Sequence, residues 1–323
     1  IRGLSWAVVR WARETKPDFI LGENVFELTS WSPLLPNGRP DPERKGQTFR
    51  EWVAAIVDLG YSFDWRMLRA ADYGVPTTRD RLFYCARRDK KPVVWPLPTH
   101  GKGRPLPWIP ASSFLDFSLP SKSIFGRPKP LVDATFRRVA AGIQKFVLNT
   151  TDPVVVTNEG VTTLPFITKH YGGLNGNQTP GSSVLAPVGT ITAIDHHALT
   201  QVDVVDLDDP MVGENEEYVK HFVAKYFGQG SGAVSVDEPM HTATSHDRFA
   251  LVSVYGKAKR IRDVRMRMFT PKELFAGMGF PQSYAFDRDT KGKPIPRGKQ
   301  VMLAGNSVCP PLAEALVRAQ MSV

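Results

Sequence analysis

Arg79-Asp80-Arg81 is the stretch whose residue types point most directly to chemistry. It sits behind Tyr73-Gly74-Val75-Pro76, a turn signal, and ahead of the apolar run Leu82-Phe83-Tyr84-Cys85-Ala86, which reads as a strand. Two guanidiniums two residues apart repel each other, and each needs an acceptor or water. Such a fork at the mouth of a strand calls for an anionic or carbonyl-rich client.

Three further blocks accompany the fork. Upstream, Gly22-Glu23-Asn24-Val25 follows the apolar strand Asp18-Phe19-Ile20-Leu21, and downstream come Arg267-Met268-Phe269-Thr270-Pro271-Lys272-Glu273 and Gly305-Asn306-Ser307-Val308. In this order and at this spacing they resemble the second half of a DNA (cytosine-5-)methyltransferase. The resemblance rests on Glu-Asn-Val at 23 to 25, Gly-Val-Pro with Arg-x-Arg at 74 to 81, Arg-x-x-Thr-Pro-Lys-Glu with Gly-Phe-Pro at 267 to 281, and Gly-Asn-Ser-Val with Pro at 305 to 310.

That resemblance implies a partial doubly wound, Rossmann-like methyltransferase sheet carrying an inserted, mainly β target-recognition domain. It implies S-adenosylmethionine as cofactor, double-stranded DNA as partner and a flipped-out cytosine as the reacting base. By the same carry-over Glu23 holds a proton for the pyrimidine, with Arg79 and Arg81 as its catalytic companions. Asn24 and Val25 support the pocket, and Asn306 and Ser307 touch the cofactor.

The family's Phe-x-Gly-x-Gly cofactor loop and its nucleophilic cysteine are not found among these residues. Phe227-Gly228-Gln229-Gly230-Ser231-Gly232 imitates the loop, but the sequence after it does not read as a helix, which a cofactor loop requires. Cys85 lies mid-strand, where a thiol is an inert small hydrophobe, and Cys309 precedes Pro310-Pro311 at a helix start, a position that can activate a thiolate but that sits inside the block resembling the family's closing motif. The chain therefore reads as the C-terminal portion of an enzyme, inactive alone and completed by an N-terminal half or subunit that carries the Gly loop and the thiol. The alternative is a non-catalytic DNA-binding or specificity subunit.

The surrounding composition agrees. The 323 residues carry a formal charge of +9, with 42% hydrophobic residues and two cysteines. That balance excludes a disulfide scaffold and favours a polyanionic partner. A cytoplasmic, nucleoid-associated setting in a bacterium or phage follows from the resemblance. Lys257, Lys259, Arg260, Arg262 and Arg267 crowd one segment and are the candidate phosphate contacts. The seven histidines show no metal-ligand spacing.

The elements that must position these residues divide the chain at 1 to 100, 101 to 260 and 261 to 323. The first part alternates helix and strand: a helix over 4 to 15, a buried strand at 19 to 21, a helix behind a capping box at Thr48 to Glu51, and strands over 61 to 68 and 82 to 86. A Pro-rich connection follows, then a helix capped by Asp133. The middle part contains a two-copy repeat. Pro187 to Leu199 aligns with Pro239 to Leu251, and Phe166 to Gly172 with Phe222 to Gly228. Each copy is expected to be a β-unit whose Thr side chains line one face, making Thr190, Thr192, Thr242, Thr244 and Arg248 candidate DNA contacts. The last part contains a second capping box at Thr270 to Glu273, a tight turn at Gly305 to Val308 and a final helix over 311 to 321.

Overall fold

The computed structural model describes residues 3–170, 181–194, 196–207, 215–227, 251–255 and 257–321. It divides into two units, one formed by Ile1–Ile109 with Val308–Val323 and the other by Pro110–Ser307. The boundary expected at 260/261 falls inside a single strand, Lys257–Met268, so residues 261 to 307 continue the second unit and only the terminal helix rejoins the first.

In the first unit α1 (Trp6–Thr15) leads through Lys16, in the left-handed conformation at φ 50°, into β1 (Phe19–Asn24). Helix α2 (Gln47–Val57) then connects to β2 (Ser62–Arg69), and a short 3-10 turn leads to β3 (Asp80–Arg87). The sheet order is β1-β3-β2. Both pairings are antiparallel, so the parallel neighbours of a doubly wound sheet are not present among the described residues. β1 and β2 do run the same way with a helix between them, but the short return after β2 inserts β3 as their common neighbour.

This unit's core is aromatic. Trp52, wholly buried on α2, meets Phe63 and Tyr84 edge-on at 5.6 and 5.1 Å, and its indole N–H donates to the Ser5 carbonyl at 2.8 Å. Tyr84 reaches that cluster by crossing β1 at Gly22, where an added Cβ would lie 2.1 Å from the ring. Phe49, Trp52 and Ile56 form the buried face of α2 as the helical spacing predicts. The capping box does not form: Gly46, at φ 79°, starts the helix two residues too early, and Thr48 falls inside it.

The second unit is built on an antiparallel sheet. Its strands are β4 (Lys122–Ser123), β5 (Val156–Asn158), β6 (Val161–Lys169), β7 (Ser182–Ser183), β8 (His197–Asp206), β9 (Leu251–Val254) and β10 (Lys257–Met268). The main order is β4-β10-β8-β6-β5, with β7 on β6 and β9 on β10. Helices α3 (Asp133–Ile143) and α4 (Glu216–Phe227) supply Val139, Ile143, Val219 and Phe222 to the core against Leu164, Phe166, Val202 and Val264. Helices α5 (Pro271–Gly277) and α6 (Arg297–Asn306) follow β10.

Three local expectations change here. Phe166 to Lys169 is strand, whereas its expected twin from Phe222 to Phe227 is helix α4, because Val219, Phe222 and Val223 bury one helical stripe. The rest of the second copy, with the glycine loop after Phe227, lies outside the described residues. Asp133 is the first residue of α3 rather than its cap. Its carboxylate takes Lys225 at 3.0 Å and Tyr226 at 2.7 Å instead, and ties α3 to α4. Gly305 and Asn306 belong to α6 rather than to a turn. A Cβ on Gly305 would sit 2.1 Å from the Thr192 carbonyl carbon, so the helix passes that backbone only because the side chain is absent. The capping box at Thr270 forms in full, with its side chain accepting from Glu273 N and Glu273 answering on Thr270 N.

Candidate active site

Antiparallel pairing of β1 with β3 sets Glu23 opposite Phe83 and Asn24 opposite Leu82. Arg81 is two residues from Phe83, and therefore on the same face as Glu23, diagonally across the ladder and within reach of a long side chain. Arg79 continues that parity. The outcome is a carboxylate held by two guanidiniums: Glu23 Oε1 lies 3.2 Å from Arg81 Nε and 3.6 Å from an Arg79 terminal nitrogen. Side-chain exposures are 18% for Glu23, 19% for Arg81 and 5% for Arg79, so the cluster is largely withdrawn from water.

Burial pushes the Glu23 carboxyl above its ordinary value, and the charges of Arg79 and Arg81 only partly offset that. Arg79 is in turn pulled below the usual guanidinium range by burial and by the neighbouring Arg81. Glu23 Oε1 is buried and accepts no hydrogen bond among the described residues, although both cations are close. Arg81 donates instead to the Asp80 carbonyl at 2.8 Å. Asp80 faces away and clasps Arg69, its register partner, at 3.0 and 3.3 Å.

The supporting residues behave as short-range braces. Asn24 Oδ1 accepts from Val25 N at 2.9 Å, closing the turn that follows β1, and Val25 is 44% exposed. Cys309, buried at the start of the terminal helix, lies within electrostatic reach of Arg79, Glu23 and Arg81. Its thiol is nonetheless pushed up to about 12, and that of mid-strand Cys85 to about 11, in both cases chiefly by burial. No signal in the sequence brings Cys309 to this cluster, since the two are joined only by tertiary packing.

Asn306 is the exposed last residue of α6, and Ser307 Oγ donates to the Ala304 carbonyl at 2.6 Å. Arg267 is engaged inside the second unit, with two parallel bonds to Glu273 at 2.7 and 2.8 Å and a third to the Asp116 carbonyl at 2.6 Å. Burial pushes Glu273 up, but the bonds from Arg267 and from the N–H groups of Thr270 and Asp116 outweigh it and hold the carboxyl below its usual value. Lys259 pairs with Asp206 at 2.8 Å, Lys257 is exposed, and Arg260 and Arg262 are half-buried on β10. Thr190 and Thr192 lie in the coil before β8, where Thr192 bonds the Ile194 carbonyl at 2.6 Å. Thr242, Thr244 and Arg248 lie outside the described residues. Among the described residues no group of His, Cys, Asp and Glu is arranged to hold a metal ion, and no helix is long and apolar enough to cross a membrane.

The family model for C-5 cytosine-specific DNA methylases matches residues 1–322. The chain belongs to that family. Within the C-5 cytosine-specific DNA methylases it is 29% identical over 140 residues to the type II methyltransferase M.SacI of Streptomyces achromogenes, covering 42% of this chain and 33% of that protein. It is 24% identical over 332 residues to DNA (cytosine-5)-methyltransferase 3 of Arabidopsis thaliana, covering 97% of this chain and 20% of that one. The chain thus spans a third or less of the length of these two methylases. Among solved structures, the S. pombe Dnmt2 methyltransferase aligns over 95% of this chain and 65% of its own, with 12% identity and a TM-score of 0.44.

Proposed function

We propose that this chain forms the pyrimidine-holding part of a DNA (cytosine-5-)methyltransferase. The observation that carries the reading is the Glu23 carboxyl: withdrawn from water, raised in pKa, with one oxygen ion-paired to two guanidiniums but in no well-formed hydrogen bond among the described residues. A carboxyl raised in this way takes up a proton more readily than an ordinary one and can share it with ring nitrogen 3 of a cytosine drawn out of the helix. Arg81, 19% exposed, can donate to the carbonyl oxygen of the same ring, and Arg79 behind it holds the carboxyl in place. Protonation at nitrogen 3 drains electrons from carbon 6, which is where a thiolate must add.

The thiolate itself comes from other polypeptide in this reading. Cys309 lies near the cluster but is too reluctant an acid, and Cys85 faces the core. The outer edge of β1 supports the presence of a partner segment. Among the described residues β1 pairs only with β3, while Phe19, Leu21, Val25 and Phe26 remain 36 to 55% exposed beside it. An unpaired apolar edge of this kind is a template for a further strand. We assign that strand to the N-terminal half or subunit that also brings the Gly loop.

S-adenosylmethionine, when bound, supplies the methyl group. The donors on this chain fit a rim contact to it rather than a cradle. Asn306 presents an exposed amide with no partner among the described residues, and the Ser307 hydroxyl keeps its acceptor lone pairs. Of the DNA contacts assigned to Lys257, Lys259, Arg260, Arg262, Arg267 and the threonines, Lys257 is the most available of the cations, whereas Lys259 and Arg267 are already engaged by Asp206 and Glu273.

The experiment is transfer of labelled methyl from S-adenosylmethionine to a cytosine-containing duplex. The chain alone is expected to be inactive, and the chain with a polypeptide carrying the Gly loop and thiol is expected to be active. Activity without any addition overturns the divided-site reading. Duplex binding with no activity under either condition favours the alternative, a non-catalytic DNA-binding or specificity subunit.

A further inference from the structure

The cations that crowd residues 257 to 267 are largely answered within the protein: Lys259 by Asp206, Arg265 by two bonds to Asp203 at 2.6 and 2.8 Å, and Arg267 by Glu273. A second set, scattered along the sequence, is gathered by the fold. β6 ends on Lys169, paired in register with His197, and His170 N donates to the His196 carbonyl at 2.7 Å. On the neighbouring helical layer stand Arg138, on α3, and Lys145, on the π-helical turn Gln144–Leu148 that continues it.

The two layers are pinned together next to these charges. Gly142 on α3 approaches the Phe166 ring so closely that a Cβ would lie 2.1 Å from it, and Phe146 stacks on the same ring at 5.8 Å. Lys145 projects from that stack with its Nζ 5.3 Å from the Phe146 centroid. Lys145 is within electrostatic reach of Lys169, and Arg138 and His196 are within reach of His170. Among the described residues no carboxylate pairs with Arg138, Lys145 or Lys169.

Three cations drawn together with no carboxylate partner among the described residues raise the free energy of the fold, and an external polyanion relieves this while releasing its own counterions. Lys145 is exposed, and Arg138 and Lys169 are half-buried, so these three cations lie at the surface, while the His170 Nε2 is buried. The charges come from α3, the π turn and the end of β6, which suits a repeating backbone better than a single small anion. We propose that Arg138, Lys145 and Lys169 form a seam that grips the phosphate backbone of duplex DNA. This rests on the reading of the chain as a DNA-acting enzyme and moves the main backbone grip from the sequence-adjacent cations to a set assembled by the fold.

The test is the binding of this chain to a labelled duplex across a range of salt concentrations without S-adenosylmethionine. The triple variant Arg138→Gln, Lys145→Ala, Lys169→Met is expected to weaken binding at least tenfold. It should also reduce the slope of log affinity against log salt by about 2 to 3, close to 0.9 for each phosphate that is no longer neutralised. The charge-preserving triple Arg138→Lys, Lys145→Arg, Lys169→Arg is expected to retain the slope, which separates charge from packing. An unchanged slope in the first triple overturns the seam. So does a reduced slope in Lys257→Ala, Arg262→Ala instead, the absence of any duplex binding, or tighter binding to duplex RNA of the same length. Because no methyl transfer is read, failure here is distinguishable from failure of the pocket, which has its own assay.

Discussion

Glu23 Oε1 and Arg81 Nε are 3.2 Å apart although 58 residues separate them along the chain. The pairing of β1 with β3 makes them diagonal neighbours, and burial lets neither relax into water. Glu23→Gln removes the proton the carboxyl can give up while keeping its shape. In the complete enzyme methyl transfer is expected to fall by roughly 10²–10⁴-fold, the range for a positioned acid. Duplex affinity of the chain should stay within about twofold, well inside the ~1 kcal/mol spread of minor effects. A variant with full transfer activity sinks the role given to Glu23.

The two thiols should be silent. With Cys85 pushed up to about 11 and Cys309 to about 12, their thiolate fractions at pH 8 are about one in a thousand and one in ten thousand. Native chain treated with maleimide at pH 8 is expected to show no modification by mass spectrometry, and the unfolded chain two. Cys309→Ala should retain transfer in the complete enzyme. Abolished transfer in a folded Cys309→Ala protein would make that thiol the nucleophile after all.

His197 predicts an acid limb for the second unit. It is 1% exposed, and burial, then Lys169, His196 and His170, drive it down from 6.5 to about 3. Between those values the unfolded chain binds a proton that the folded one refuses. Stability is therefore complete above 6.5, falls as the pH drops towards 3 and levels below that, at about 1.4 kcal/mol per tenfold difference in proton affinity. Chemical denaturation at pH 7, 5 and 4 should show this fall for the wild type and a flatter profile for His197→Gln. Parallel profiles would mean that other groups set the limb.

Arg267→Lys should be far from conservative. Its fork makes two bonds to Glu273, both side chains being at most 10% exposed, and an ammonium cannot reproduce that geometry. Removing a partner from a buried pair altogether costs about 3–5 kcal/mol, and Lys, which keeps the charge but loses the fork, is expected to lose at least about 1 kcal/mol of that. A loss in unfolding free energy under about 1 kcal/mol, the scale of an exposed pair, contradicts this.

The Arg fork, the Glu-Asn-Val block, the second capping box and the strands that carry the candidate site were all legible in the sequence, because each is a local pattern. The twin of Phe166 to Lys169 was not, since similar residues can serve a strand or a helix and only the stripe of Val219, Phe222 and Val223 decides. Charge was the least legible. Lys259, Arg265 and Arg267 look like a single basic tract, yet Asp206 and Asp203, from a different strand, and Glu273, from a helix beyond, each claim one. The cations of Arg138, Lys145 and Lys169 are dispersed in sequence, and only the stacking of α3 on β6 gathers them.

The ladder between β1 and β3 has an odd–even logic with an evolutionary corollary. Insertions or deletions in the 70 to 78 connection that let β3 slide by one position would turn Arg79 and Arg81 to the opposite side of the sheet from Glu23, with every amino acid of the trio intact. Slides by two would keep them on one side but out of touch. That short connection is therefore a stretch where changes of length, more than changes of letter, should be selected against.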